Sequence, residues 1–233
     1  MKEINKKIPK CIGIIMDGNR RWAKMRGLTS YKGHSAGCKK LKEFISWSNV
    51  IGVKNIVTYA FSTENWKRSD IEIEYLFKIF KKFILEEFDF LKKENVKVRC
   101  IGQIDKFSKD LQDGIKNLER KTEKNDGVNV YLALSYGGRA EILHAVSELL
   151  EKSKKDDVKI IESEFAKYLW TKDMSDPDLI IRTGGEMRLS NFLLWQSAYS
   201  ELFFTNTHWP DFSEEEFLKI ISDFQRREKR FGK

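Results

Sequence analysis

Six short runs rich in isoleucine and valine, at residues 12–16, 55–61, 96–101, 128–134, 179–182 and 202–205, alternate with longer segments of helical periodicity. No other feature constrains the fold as much. Apolar strands without a polar alternation are buried on both faces, and the segments between them supply the crossovers that parallel pairing requires. Those segments are read as helices at 19–25, 35–51, 71–93, 106–124, 139–152, 161–170, 191–199 and 214–227. The pattern predicts an α/β fold with a central, mostly parallel sheet of about six strands covered by helices. With only three prolines, no low-complexity run and no fixed-period repeat, nothing divides the chain, and residues 1–233 read as a single domain.

In open parallel sheets, ligands bind beyond the carboxyl ends of the strands, and here those ends carry chemistry. The first run stops at Asp17-Gly18-Asn19 and is followed by Arg20, Arg21, Trp22 and Lys24. Gly18 permits a tight turn, Asn19 suits a helix cap, and the fresh helix N-terminus attracts phosphate. An acid beside a phosphate calls for a divalent cation between them, so Asp17 predicts a Mg²⁺-phosphate site. The second run ends in FSTENWKRS (61–69), which brings Ser62, Thr63, Glu64, Asn65, Trp66 and Arg68 to the same edge. Taken singly, these read as a cap and a half-buried aromatic; as a group they read as a site.

The fifth run leads into RTGGEMRLSN (182–191). Guanidinium forks from Arg182 and Arg188 suit phosphate oxygens, and Gly184-Gly185 would let main-chain N–H groups approach the same anion, with Ser190 and a helix start near Asn191 close by. Glu201, ahead of the last apolar run, is a candidate second metal ligand. The helix at 71–93 fills one face with apolar residues and continues onto a second with Ile79, Leu85 and Phe90. That second surface is covered by its own core, by another subunit or by a greasy ligand; beside a diphosphate site it reads as the wall of a hydrocarbon tunnel.

The net charge of +8 calls for anionic partners without saying which. Cys11, Cys38 and Cys100 are isolated and read as reduced thiols, and His34, His144 and His208 are too scattered for a metal cluster. The basic N-terminus lacks an apolar core, and no run has the length of a membrane span. These features predict a soluble, cytoplasmic protein.

Together MDGNRRWAK, GHSAG, FSTENWKRS, YGGRAEI, IRTGGEMRLSNFLLWQ and the ELFFT and WPDF tail resemble the cis-prenyltransferases, the (Z)-polyprenyl or undecaprenyl diphosphate synthase family. The likeness runs from about Ile12 to Phe231. It implies a homodimeric α/β enzyme that condenses isopentenyl diphosphate with an allylic diphosphate, farnesyl or geranylgeranyl, in Z geometry, giving a product near the undecaprenyl class, the precursor of a glycan carrier lipid. Asp17 is then the Mg²⁺ ligand and central catalytic acid. Gly18, Asn19, Arg20 and Arg21 cradle the allylic diphosphate, with Trp22 and His34 beside it. Ser62, Thr63, Glu64, Trp66 and Arg68 match substrate contacts, and Asn65 matches the residue usually assigned as proton acceptor. Arg182, Arg188 and Ser190 match the isopentenyl diphosphate site, and Glu201 matches the other metal ligand, contributed at the dimer-related tail. A neutral amide is a poor base, so Asn65 is expected to orient the group that takes the proton. The membrane-lipid product implies transient, peripheral contact with the bilayer.

Three positions depart from the common bacterial pattern. Arg20 stands where glycine is frequent, Ser30 where an arginine contacts the diphosphate, and Met187 where histidine is frequent; these bear on substrate preference and rate. The competing readings lack their motifs. There is no DDxxD of the trans-prenyl synthases, the one Asp-Asp pair being Asp156-Asp157, and neither GxxxxGK[ST] nor GxGxxG. A nucleic-acid module would need its cations in one stripe with interleaved aromatics, whereas here they cluster with acids at strand ends, so no nucleic-acid partner is expected. A non-catalytic partner subunit would have lost motifs that are intact here.

Overall fold

A computed structural model describes residues 8–154 and 161–227. Six strands, β1 Cys11–Ile15, β2 Asn55–Ser62, β3 Lys97–Ile101, β4 Asn129–Tyr136, β5 Leu179–Arg182 and β6 Glu201–Phe204, form one sheet in the order β3-β4-β2-β1-β5-β6. Every pairing is parallel. Helices α1 Asn19–Met25 and α2 Ser30–Val50 follow β1, and α3 Asp70–Glu86 and α4 Phe88–Lys93 follow β2. Helix α5 Lys109–Thr122 precedes β4, α6 Gly138–Ser153 and α7 Glu162–Phe165 precede β5, and α8 Glu214–Arg226 closes the described chain. Phe231, Asp156 and Asp157 lie outside the described residues, as does the side chain of Leu85.

Successive strand residues point to opposite faces, and the two faces feed two cores. Val130, Leu132 and Leu134 join a core with Phe44 of α2, Phe83 of α3, Leu111 of α5 and Phe217 of α8. Tyr131, Ala133 and Tyr136 join Ile180, Phe192 and Leu193 on the other side. Each such fully buried side chain contributes about 1.5–3 kcal/mol, which is why the apolar runs were so clear a signal. The three cysteines are unpaired.

The helices depart from expectation in instructive ways. Helix α2 starts five residues early, because Thr29 caps it by accepting from the Lys32 N–H at 3.4 Å. Its glycines Gly33 and Gly37 are not breakers: they let α1 approach, and a Cβ on either would lie 2.3 Å from the Asn19 carbonyl or 2.2 Å from Asn19 Oδ1. The helix expected at 71–93 breaks at Glu87 (φ −92°, ψ 13°), whose carboxylate takes a 2.9 Å hydrogen bond from Lys42 of α2. The segment expected at 106–124 becomes helical only from Lys109, and that at 161–170 is reduced to α7 and a 3-10 turn at Ala166–Tyr168. The helix expected at 191–199 does not form. Ser190, Asn191 and Leu193 are left-handed (φ 50°, 68° and 47°), and only Gln196–Tyr199 makes a 3-10 turn.

Candidate active site

Asp17 lies just past β1 and is fixed through its backbone. Its carbonyl accepts from Thr183 Oγ1 at 2.8 Å and from the Trp209 N–H at 3.0 Å, so the chain after β5 and the WPDF segment both support it. Gly18, at φ 102°, caps α1, and a Cβ there would sit 2.7 Å from the His208 ring, so only glycine fits. The cap is therefore Gly18 and not Asn19, which is the first helical residue and donates from Nδ2 to the Met16 carbonyl at 3.0 Å. No side chain caps α1, which leaves N–H groups of its first turn for an anion.

The Asp17 carboxylate takes Arg21 Nη2 at 3.1 Å, Arg182 Nη2 at 3.0 Å and its neighbour's N–H from Gly18 at 2.6 Å. Burial raises its pKa, but the hydrogen bond from Arg182 and the charge of Arg21 outweigh it and hold the group below the usual carboxylate range. Arg182 is itself buried. Its Nη1 donates to Ser190 Oγ at 2.8 Å and to the Arg188 carbonyl, so one guanidinium ties the acid after β1 to the loop after β5. Arg188 is exposed and pairs with Glu186 at 2.5 Å, and Glu186 also faces Arg21 at 3.6 Å. The glycine pair does not offer its N–H groups to an anion as expected. Gly184 donates to the Thr207 carbonyl and Gly185 to that of Thr205, both at 2.8 Å. Their function is conformational: both have φ 84°, and Gly184 lets Arg21 and Asp17 come close.

From the loop after β2, Asn65 Oδ1 accepts from the Ser62 N–H at 3.1 Å, and Glu64 accepts from Asn191 Nδ2 at 2.9 Å. Trp66 goes elsewhere. Its ring packs against Phe61, Phe77 and Phe107, and Nε1 donates to Ser135 Oγ at 2.9 Å. Thr63 packs against Gly137. Trp22 also faces away, bonded to Asp211 at 2.7 Å with Arg26 stacked over it at 4.5 Å. Both indoles are held by contacts within the chain.

Glu72, at the start of α3, gathers three of the residues expected to contact substrate: Arg68 at 2.8 Å, Arg20 at 3.5 Å and His34 at 3.7 Å. Burial, then Arg68, push the His34 imidazole down to about 4, against the opposing pull of Glu72. The unfolded chain therefore binds a proton near pH 6.5 that the native state refuses until about pH 4. Stability is complete above that window and falls on acidification through it, by up to about 3 kcal/mol. In urea titrations at pH 7 and pH 4.5, His34→Asn is expected to lose less stability between the two than the parent; equal losses would refute the assignment.

Asp17, Ser62, Glu64, Asn65, Arg68, Arg182, Ser190 and Asn191 line a polar mouth of about 520 Å³. Met16, Tyr59, Asn65 and Arg68 also belong to an apolar cavity of about 150 Å³ under the sheet, walled by Leu41 of α2, Ala60 of β2, Leu132 of β4 and Leu76, Phe80 and Phe83 of α3. The cavity is thus walled by the first apolar face of the 71–93 region together with Ile79 from the second, while Phe90 packs against the chain's own core. Glu201 is not part of this mouth. It pairs with Leu179, level with Ile12 at the opposite end of the strands, and bonds Arg227 at 2.6 Å; within one chain the two acids do not meet.

Among the described residues no group of three or more His, Cys, Asp or Glu is placed to hold a metal. The Asp17 carboxylate in a roomy polar mouth nevertheless suits Mg²⁺, which is commonly held by one or two carboxylates together with substrate phosphates. Sequence reading missed Tyr59, Glu72, Thr183, Glu186 and Asn191, whose roles come from tertiary contacts, and His208 and Trp209, for which the WPDF motif was the available signal. Among the described residues no helix is long and apolar enough to cross a membrane.

The profile of the family described as "Putative undecaprenyl diphosphate synthase" matches residues 15–232. An isoprenyl transferase of Thermotoga maritima is 46% identical over 227 residues, 97% of each chain. One of Bacillus subtilis is 46% identical over 228 residues, 97% of this chain and 88% of the relative. The crystal structure of lavandulyl diphosphate synthase from Lavandula x intermedia, in complex with dimethylallyl diphosphate, superposes with a TM-score of 0.93 at 33% identity, covering 97% of this chain and 99% of that one. A probable undecaprenyl diphosphate synthase from Campylobacter jejuni superposes at 0.83 with 34% identity, covering 97% and 100%. With that match across nearly its whole length, and with a parallel sheet that gathers an acid and two arginine-bearing loops over an apolar cavity, the chain belongs to the undecaprenyl diphosphate synthase family and is a prenyl-transferring enzyme.

Proposed function

We propose that this enzyme condenses isopentenyl diphosphate with an allylic diphosphate, farnesyl or geranylgeranyl, to make a (Z)-polyprenyl diphosphate near the undecaprenyl class. The observation that carries this reading is the shared floor of the two cavities: a mouth bearing arginines and an acid opens at Met16, Tyr59, Asn65 and Arg68 onto an apolar slot. An amphiphile with an anionic head and a hydrocarbon tail matches both halves. The lavender relative's complex with dimethylallyl diphosphate supports a diphosphate head.

Gly18, Asn19, Arg20 and Arg21 at the start of α1, with Arg68 and His34, would hold the allylic head. Arg182, Arg188 and Ser190 would hold isopentenyl diphosphate. The C1–O bond of the allylic diphosphate breaks, the terminal alkene carbon of isopentenyl diphosphate bonds to C1, and a proton leaves C2. The arginines stabilise charge on the departing pyrophosphate, and preorganised cations of this kind are the largest catalytic contribution. Asp17 would hold Mg²⁺ together with the phosphates, and the bound ion would add neutralisation of that charge. Asn65, its oxygen engaged by Ser62, presents an amide donor that orients a phosphate oxygen or Asp17 for proton removal.

The proposed assembly is a homodimer. Helix α6 exposes Leu143, Val146 and Leu150 on one face, and β6 is one of the two edge strands, with Leu202 exposed; a second copy would cover them. Glu201 would serve as a metal ligand only across that interface. The lipid product would be released at the membrane surface.

The test is incubation of the purified protein with labelled isopentenyl diphosphate and each allylic starter, with Mg²⁺ or with EDTA. Expected is polyprenyl product only with Mg²⁺; product with EDTA, or none with any starter, overturns the reading. Ala60→Leu is expected to shorten the longest product, because Ala60 lines the slot together with Leu132 and Phe83 and added methylenes in a packed site are poorly tolerated. Unchanged chain lengths by chromatography would remove Ala60 from the tunnel wall.

A further inference from the structure

The loop that carries Ser190 is held in a costly shape. Ser190 and Asn191 are consecutive left-handed residues, a conformation that disfavours side chains and in which asparagine is better tolerated than serine. Such strain persists only where surrounding contacts overdetermine it. Here the contacts come from two side chains. Tyr59 spans the boundary between mouth and tunnel, and its hydroxyl donates to the Ser190 carbonyl at 3.2 Å and, more weakly, to that of Tyr136 at 3.4 Å. Its ring stacks on Phe192 at 4.6 Å, immediately after the turn. Burial and then the Glu64 charge raise the phenol's pKa, so the donor stays protonated. On the other side, Asn191 Oδ1 accepts from the Arg139 N–H at 2.9 Å, its Nδ2 donates to Glu64, and its carbonyl accepts from the Gly138 N–H at 2.7 Å.

We propose that Tyr59 and Asn191 are positioning residues: together they clamp the Ser190–Asn191 turn so that Ser190 Oγ and the Arg182 guanidinium face the mouth as one diphosphate grip. This rests on the reading of Arg182 and Ser190 as the isopentenyl diphosphate site and assigns what sets that site's geometry. Tyr59 acts through a backbone carbonyl, so losing its hydroxyl moves one substrate's site and spares the other's. It also explains why a serine is left-handed here: the fixed carbonyl aims the side chain back at Arg182 Nη1, 2.8 Å away.

The test is Tyr59→Phe, which keeps the ring stack, measured beside Ser190→Ala. Tyr59→Phe is expected to raise KM for isopentenyl diphosphate about five- to tenfold, as for one lost hydrogen bond, with KM for the allylic substrate within about twofold. Asn191→Gly retains the left-handed backbone but loses the Glu64 and Arg139 bonds, and is expected to raise the same KM, with Asn191→Asp restoring less than the parent because it faces Glu64 as a like charge. If Ser190→Ala raises KM for isopentenyl diphosphate and Tyr59→Phe does not, the clamp is wrong and the site reading stands. If Ser190→Ala leaves that KM unchanged, the site reading fails. Equal rises for both substrates, or a lowered melting temperature accounting for the loss, would make Tyr59 merely structural and overturn the proposal.

Discussion

Asp17→Asn is expected to lose turnover by about a thousandfold or more with its fold retained. The substitution removes the charge that Arg21 and Arg182 hold ionised and leaves an amide that can still accept from one of them. Its NH₂ must then face a donor, Arg21, Arg182 or the Gly18 N–H, and such a mismatch costs about 1–3 kcal/mol. Asp17→Ala is the poorer probe. It strips the buried Arg182 of its counter-charge, and an uncompensated buried ion costs about 3–5 kcal/mol, so lost activity would be confounded with lost stability. Steady-state incorporation of labelled isopentenyl diphosphate and calorimetric melting separate the two effects. Turnover within tenfold of the parent, in a folded Asp17→Asn protein, would remove Asp17 from the chemistry.

The second large effect is expected at Asn65→Asp. If the side chain at this position were a base, a carboxylate would be a better one, and the rate would hold or rise. The geometry argues the reverse. The Asn65 oxygen already accepts from the Ser62 N–H, and an aspartate would keep that bond while losing the NH₂ and adding a third acid to a mouth that contains Asp17 and Glu64. Repulsion of two diphosphate heads and loss of the orienting donor together predict about a hundredfold fall in turnover. Retained rate, or a rate that climbs with pH through the carboxylate range, would make this residue the base.

What the sequence disclosed and what it hid follow from how local each signal is. The six strands were legible because residues such as Ile56 and Val57, or Ile180 and Ile181, are buried on both faces, so their apolarity is unbroken by solvent. Convergence of Asp17, Ser62 and Arg182 was legible from topology: parallel strands deliver their carboxyl ends to one edge. The 191–199 helix failed because Phe192, Leu193 and Gln196 imitate a helical stripe, while the backbone is set by contacts with Tyr59, Glu64 and Arg139 from elsewhere in the chain. Trp66 and Trp22 sit within the motifs and are held by Ser135 and Asp211, partners that only the tertiary structure brings to them. Nothing local marks Glu72 as the anion that Arg20 and Arg68 share, with His34 beside it.

The two bare positions on α2, Gly33 and Gly37, have a consequence for how the head-group socket keeps its calibre. Asn19 presses its carbonyl and its side-chain oxygen into the space those missing methyls leave, and the Trp209 ring closes on Gly37, to whose carbonyl it donates at 2.8 Å. The same indole segment grips the Asp17 backbone. A single carbon added to α2 would therefore act as a wedge whose thin end lies between two helices and whose thick end tilts the acid away from its arginines.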